Sequence, residues 1–159
     1  MELIDSWDKL EKLKTQGAVE GEQLDFKLDI PSNEKIAKVI CAFANTSGGN
    51  IIFGAKYDDK ITRKLEGFPG IDLIPDLDSR MEQIAMNIRP TVSVELSKPI
   101  CLPNNDKKCI YTLFVHPGQL QPHQSSSRKY YRTNVYCKTI CWAKNRKNIP
   151  RAQLCNSTF

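Results

Sequence analysis

Residues 20–27 read Glu-Gly-Glu-Gln-Leu-Asp-Phe-Lys, and residues 42–54 read Ala-Phe-Ala-Asn-Thr-Ser-Gly-Gly-Asn-Ile-Ile-Phe-Gly. The first stretch alternates polar residues with Leu24 and Phe26, which predicts a half-buried strand over residues 23–29. The second stretch ends a helix at a glycine pair and continues into an apolar strand. A helix ending in this way requires positive φ, which glycine adopts at little steric cost. The two stretches therefore predict a strand, a helix and a second strand.

The remaining elements follow from hydrophobic spacing and turn residues. Helices are predicted over residues 3–15, 34–45 and 76–88. Strands are predicted over residues 23–29, 50–55, 61–66, 92–97, 109–115, 129–132 and 135–140, with a hairpin at Asp58-Asp59-Lys60. The loop from His116 to Ser127 has the length at which loops are usually functional or mobile. The predicted fold class is α+β, with helices packed on a mixed, mostly antiparallel sheet.

Charge is divided unevenly along the 159 residues, although the net charge is only +5. Residues 1–100 carry 13 Lys and Arg against 17 Asp and Glu, a net of −4. Residues 101–159 carry 10 basic residues and a single acid, Asp106, a net of +9. A basic half joined to an acidic half is typical either of a site that meets a polyanion or of a solvated basic tail.

The six cysteines are predicted to be reduced thiols. Cys41 falls on an apolar helical face and Cys109 in an alternating strand, and the amino terminus lacks a signal peptide. No apolar run approaches the roughly 20 residues that span a bilayer, so no membrane partner is expected. The predicted location is intracellular, cytoplasmic in preference to nuclear. Cys137-x3-Cys141 is poor zinc spacing, and zinc is not expected.

The two opening motifs resemble those of the Schlafen AlbA-type domain, which read Glu-x4-Glu-Phe-Lys and Ala-Phe-Ala-Asn-Thr-x-Gly-Gly. The resemblance extends to about residue 140 and implies a single lobe of the Schlafen core. It divides the chain into an N-terminal helix (residues 1–19), an AlbA-type domain (residues 20–140) and a basic C-terminal tail (residues 141–159). A phosphate-binding loop is not predicted, because no Gly-x4-Gly-Lys-Ser/Thr is present.

Spacing places several carboxylates near one another. Asp25 and Lys27 are expected on one face of their strand, the face away from the core, and Glu20 and Glu22 can fold back towards them. Gathered carboxylates repel one another unless a cation lies among them, and Mg²⁺ and Mn²⁺ prefer oxygen ligands. The alternative is a solvated strand end with incidental acids.

The resemblance implies a more specific role for these groups. In Schlafen ribonucleases two Glu and a later Asp form a metal-dependent site that cuts RNA. Glu20 and Asp25 match the first two positions, Lys27 matches the adjacent lysine, and Asp58 or Asp59 would supply the third carboxylate. The family reads Gly-Val-x-Asp where this chain has Gly54-Ala-Lys-Tyr-Asp-Asp. Glu20, Asp25 and Asp58 are thus the predicted Mg²⁺ or Mn²⁺ ligands, and Lys27 would steady the scissile phosphate.

A second set of residues is predicted to contact nucleic acid. Ser125-Ser-Ser-Arg-Lys-Tyr-Tyr-Arg resembles the family's closing element, in which basic side chains reach phosphates and an aromatic ring stacks on a base. Alternation places one of its two tyrosines in the core. The predicted nucleic-acid-binding residues are Asn45, Arg128, Lys129, Tyr130, Arg132 and Lys138.

The sequence therefore predicts a nucleic-acid-binding domain acting as a divalent-metal-dependent endoribonuclease on structured RNA such as tRNA, with RNA preferred to DNA. One alternative is a non-catalytic module that binds DNA or RNA, as in transcriptional regulators. Another is an assembly subunit of a nuclease complex. A vertebrate Schlafen core contains two lobes of this type, and one lobe here implies a homodimer or a heterodimer with a related chain.

Overall fold

The computed structural model describes residues 1–58, 62–120 and 122–131. Within these residues the helices are α1 (Trp7–Thr15), α2 (Asn33–Ala44) and α3 (Leu77–Met86). The strands there are β1 (Leu24–Lys27), β2 (Gly49–Phe53), β3 (Lys56–Tyr57), β4 (Leu65–Gly67), β5 (Ile71–Asp72), β6 (Val94–Leu96), β7 (Ile100–Leu102) and β8 (Asn105–Val115). Because this set mixes helices with one dominant sheet, the predicted α+β class is confirmed.

The long strand β8 organises the sheet. Its carboxyl half pairs antiparallel with β2 and β6, and its amino half pairs antiparallel with β5 and β7. Strand β1 pairs parallel with β2, which makes the described sheet of six strands mixed but mostly antiparallel, as predicted. Strands β3 and β4 form a separate antiparallel pair.

Apolar side chains pack on both faces of the sheet, because alternate residues of a strand point to opposite faces. The larger core cluster joins α2 and α3 to the sheet and includes Ile51 and Phe53. The other core cluster joins α1 to the opposite face and includes Phe26 and Ile52. The predicted stripe of α2 is buried as expected, its members being Ile36, Val39, Ile40 and Phe43.

Several boundaries differ from the predictions. Helix α1 begins at Trp7 and not at residue 3, after an extended Ser6. The strand predicted over residues 61–66 is the shorter β4, and it pairs with β3 outside the main sheet. The short strands β5 and β7 were not predicted, because two or three residues give no readable periodicity. The predicted strand over residues 135–140 lies outside the described residues, as does the middle of the Asp58-Asp59-Lys60 hairpin.

Among the helices that the structure describes, each is too short or too polar to cross a bilayer.

Candidate functional site

Three of the predicted site residues come together at β1. The Lys27 ammonium lies 2.5 Å from Asp25 Oδ2 and 3.9 Å from Glu20 Oε1. These three residues are called the carboxylate cluster below. The prediction that Asp25 and Lys27 share a face of β1 is therefore confirmed, and so is the return of Glu20 towards them.

The prediction that this face points away from the core is wrong for Asp25, which is 1% exposed. Asp25 is in parallel register with Ile51, a member of the larger core cluster. Neighbours in register point to the same side of a sheet, so Asp25 faces the side that α2 covers. A buried carboxylate requires a partner, and the half-buried Lys27 side chain supplies one at the cluster's open side.

Glu20 closes the free edge of β1. Its Oε1 accepts a 3.0 Å hydrogen bond from the Phe26 amide, and the Gly21 amide donates to the Leu24 carbonyl. Its Oε2 lies 3.8 Å from a guanidinium nitrogen of Arg63, whose carbonyl also accepts from the Glu20 amide. Glu20 thus satisfies a strand amide in addition to meeting Lys27.

The predicted third carboxylate, Asp58, hydrogen-bonds within its own turn. Asp58 Oδ1 accepts hydrogen bonds from the Thr62 hydroxyl at 2.6 Å and from the Lys64 amide at 3.0 Å, which ties it across its own turn. Asp59 lies outside the described residues. Across residues 1–58, 62–120 and 122–131, no group of three His, Cys, Asp or Glu side chains could hold a metal ion. Lys27 pairs with both remaining carboxylates, and metal binding by Glu20, Asp25 and Asp58 stays a prediction.

Residues 124–130 form a second feature, called the basic hairpin below. Gln124 and Tyr130 form a bridge, the Ser125 amide donates to the Lys129 carbonyl at 2.9 Å, and the Arg128 amide donates to the Ser125 carbonyl at 2.8 Å. Arg128 has a φ of 59°. This tight turn leaves the Arg128 and Lys129 side chains exposed at its tip.

The aromatic residues of this segment divide as predicted. Tyr131 is buried in the larger core cluster, with the Lys38 ammonium 5.4 Å from its ring centroid, whereas Tyr130 is half-buried. Arg132 and Lys138, predicted to bind nucleic acid, lie outside the described residues. The nucleic-acid contacts of Arg128, Lys129 and Tyr130 stay predictions.

Asn45, at the carboxyl end of α2, contacts the flanks of the basic hairpin. Its Nδ2 donates to the His123 carbonyl at 3.0 Å and to the Tyr131 carbonyl at 2.7 Å, and its Oδ1 accepts from the His123 amide at 2.6 Å. Its side chain is buried, so its amide is directed into the protein. A direct contact between Asn45 and nucleic acid stays a prediction.

Sequence reasoning missed the role of His123 and Cys41 beneath this hairpin. The Cys41 thiol donates to the His123 carbonyl at 3.0 Å, and burial raises the pKa of that thiol. His123 Nδ1 lies 2.7 Å from the Pro90 carbonyl, which only accepts, so Nδ1 carries the proton. The loop predicted to be functional or mobile is therefore anchored to α2 at His123. A histidine within a Pro- and Gln-rich segment gave no sequence signal of this burial.

Comparison with known proteins gives a family. The family model described as Schlafen, AlbA_2 matches residues 20–141. No curated protein sequence matches the chain significantly.

Two solved structures are similar to the chain. The DIP2311 protein from Corynebacterium diphtheriae is 20% identical with a TM-score of 0.47; the match covers 82% of this chain and 25% of that one. The N-terminal domain of a protein from Nitrosomonas europaea, described as related to the ATP-dependent DNA helicase RecG, is 16% identical with a TM-score of 0.46. That match covers 94% of this chain and 95% of the other. The chain thus spans about a quarter of the length of the Corynebacterium protein.

Proposed function

The chain belongs to the Schlafen AlbA_2 family, and from that membership we propose that it is a nucleic-acid-binding domain whose ligand is structured RNA such as tRNA. The observation that carries the proposal is the basic hairpin, which places Arg128 and Lys129 together and exposed at the tip of a hydrogen-bonded turn. The excess of basic residues after residue 100 in the sequence also favours a polyanionic ligand.

The chemistry of this surface suits the phosphate backbone. A guanidinium and an ammonium at one turn can contact successive phosphates, and such contacts position a protein on nucleic acid without reading sequence. The ring of Tyr130, beside them in the chain, can stack on an unpaired base. This combination favours a folded RNA with loops over uniform duplex DNA.

Fluorescence anisotropy with labelled tRNA, in EDTA, tests the proposal. Arg128→Ala/Lys129→Ala should weaken binding and reduce the slope of log affinity against log salt by about 1.5, since each phosphate contact contributes about 0.7–0.9. The matched control is Lys12→Ala/Lys14→Ala, which removes two exposed charges from α1, outside the family match. An equal loss of tRNA affinity in both variants would mean that net charge, and not the hairpin, causes the effect. Absence of tRNA binding by the wild type would refute the proposal.

A duplex DNA of equal charge forms the second arm of the same titration. If the protein binds the duplex DNA more tightly than tRNA, the RNA assignment is wrong and the DNA-binding module, an alternative from the sequence analysis, is supported.

A second candidate function is endoribonuclease activity, favoured by the convergence of Glu20, Asp25 and Lys27 in one cluster. Incubating labelled tRNA with the protein and Mn²⁺ or Mg²⁺ tests it. Cutting by the wild type that disappears in Glu20→Ala and Asp25→Ala, but persists in the exposed α3 variant Glu82→Ala, would establish the activity. Binding without cutting by every variant would leave the binding domain as the function.

The homodimer, or a heterodimer with a related chain, belongs to the same proposal. Sedimentation equilibrium at micromolar concentration should give twice the mass of one chain, which is 18.1 kDa. A mass of one chain with and without tRNA would eliminate the homodimer. Cleavage that appears only after a related chain is added would identify an assembly subunit.

A further inference from the structure

A single buried side chain joins the two flanks of the basic hairpin. His123 precedes the hairpin and Tyr131 follows it, and the carbonyls of both accept hydrogen bonds from Asn45 Nδ2, at 3.0 Å and 2.7 Å. The His123 amide donates to Asn45 Oδ1 at 2.6 Å. Asn45 is 8% exposed, so these hydrogen bonds lie within the protein.

We infer that Asn45 is a positioning residue for RNA binding, which acts by holding the basic hairpin closed against the end of α2. The inference rests on the proposed function, because the hairpin is the proposed RNA contact. A carboxamide suits this task because it offers two N–H donors and an acceptor in one plane. Both carbonyls and the His123 amide hydrogen-bond to that one group, and the His123 carbonyl also accepts from the Cys41 thiol.

Other contacts hold the first strand of the hairpin, whereas the hydrogen bonds of Asn45 to His123 and Tyr131, called the clamp below, join both of its flanks. Gln124, its first residue, exchanges two backbone hydrogen bonds with Arg89, at 2.9 and 2.7 Å. The Gly118 amide donates to the Ala44 carbonyl at 2.8 Å, and so the preceding loop also meets the end of α2. The hairpin is thus anchored at its first strand, while the carbonyl of Tyr131, the residue that follows it, accepts a hydrogen bond from Asn45.

The clamp also relates two distant parts of the sequence. Asn45 belongs to the Ala-Phe-Ala-Asn-Thr-Ser-Gly-Gly motif, and its partners lie 78 and 86 residues further on. Helix α2 ends at Ala44, which directs the next side chain away from the helix and towards the hairpin flanks. The motif asparagine and the basic residues therefore form one functional unit.

Asn45→Asp is the perturbation with the closest shape. It keeps an acceptor for the His123 amide but sets a carboxylate oxygen against two carbonyls. If the held form of the hairpin falls to about a tenth of molecules, the apparent tRNA affinity falls about tenfold. Hydrogen exchange of the His123 and Gln124 amides, which donate to Asn45 and Arg89, should quicken about tenfold or more without RNA, because exchange follows the fraction of open molecules.

Measuring tRNA affinity at a series of pH values distinguishes a positioning role of Asn45 from a general loss of stability in Asn45→Asp. Burial and the two facing carbonyls should raise the pKa of the new carboxyl above its ordinary range. Its protonated form has an O–H that can donate to one carbonyl, so the difference in tRNA affinity from the wild type should narrow as pH falls from about 7.5 to about 5. The titratable groups facing this site are Cys41 from α2, and His123 and Tyr131 from the hairpin flanks, with Lys38 over the Tyr131 ring. Because these groups are present in both proteins, the wild-type pH profile gives their effect in the absence of the new carboxyl.

Ile40→Val is the matched control, because it destabilises the same helix at a fully buried position by about 0.5–1.5 kcal/mol while leaving the Asn45 carboxamide in place. It should leave tRNA affinity and hairpin exchange unchanged. Should Asn45→Asp not fold, NMR of the wild type decides: the Asn45 side-chain amide protons should exchange slowly, and should shift little when tRNA is added.

The outcomes separate the two proposals. If hydrogen exchange at the hairpin is faster in Asn45→Asp but the wild type does not bind tRNA, the role of Asn45 in holding the hairpin is supported and the proposed function is refuted. Wild-type affinity and exchange in folded Asn45→Asp would refute the clamp, as would a large tRNA-induced shift of the Asn45 side-chain amide.

Discussion

Replacing Lys27 with methionine removes the ammonium that lies 2.5 Å from Asp25 and 3.9 Å from Glu20, while keeping a side chain of similar length. Both carboxylate side chains are almost wholly buried, at 1% and 5% exposure. The change therefore leaves two negative charges together at the edge of the core without the cation that lies between them.

The size of the effect follows from this burial. Removing one partner of a buried ion pair typically costs about 3–5 kcal/mol. The Lys27 side chain is 27% exposed, so water screens part of the interaction and the expected loss is about 2–4 kcal/mol. That is a large fraction of the stability of a typical domain, which is about 5–15 kcal/mol.

Urea unfolding followed by circular dichroism measures this loss as a change in midpoint at constant slope. The matched control is Lys56→Met, which breaks an ion pair of 2.8 Å with Glu66 in which both side chains are about half exposed. That control should lose at most about 1 kcal/mol. Adding Asp25→Asn to Lys27→Met should recover part of the loss. Equal losses in Lys27→Met and Lys56→Met would refute the claim that Lys27 neutralises a buried cluster.

Three further outcomes are expected. Gly48→Ala should lower the free energy of unfolding by about 2–4 kcal/mol, because the φ of Gly48 is +72° and a Cβ there would lie 2.5 Å from a carbonyl oxygen. Gly21→Ala, where the nearest atom to the new Cβ is 4.0 Å away, should lower it by about 0.5 kcal/mol or less, and similar urea midpoints for the two variants would contradict this. Burial raises the pKa of the Cys41 and Cys109 thiols above their ordinary value of 9.0, so the unfolded chain loses these protons first. The stabilisation from these thiols should be complete below pH 9.0 and should be lost as pH rises from there through their pKa in the folded protein. In urea unfolding at a series of pH values, the stability of Cys41→Ala should decrease less steeply with pH than that of the wild type. An equal decrease in both proteins would contradict this reasoning. Asp58→Ala removes two hydrogen bonds at an exposed turn and should cost about 1 kcal/mol in thermal unfolding, with tRNA affinity unchanged; lost affinity would assign Asp58 to the binding site.

The sequence was most informative where one element carries its own pattern. Helix α2 buries Ile36, Val39, Ile40 and Phe43 as its spacing predicts, because twelve residues contain three full turns of the repeat. Strand β2 likewise carries the apolar run Ile51 to Phe53, which is typical of a strand covered on both faces.

Burial at the site was less predictable, because it depends on neighbours distant in the chain. Alternation placed Asp25 and Lys27 on one face, but the cover over Asp25 comes from the packing of α2 across the sheet. Asn45 gave a turn signal, while its partners, His123 and Tyr131, are fixed only by the tertiary fold. The short strands β5 and β7 exist through pairing with β8, and their own residues carry too little pattern.

The position of β8 has a consequence for synthesis on the ribosome. Gly49 of β2 pairs with Val115, the last residue of β8, and so the second edge of β2 stays open until β8 has left the exit tunnel. Before that point β1 and β2 are an isolated parallel pair, which is marginal in water. Closing so long a connection also slows folding. Nascent chains halted before β8 should therefore be cut readily by protease, and resistance should appear in one step once β8 is free.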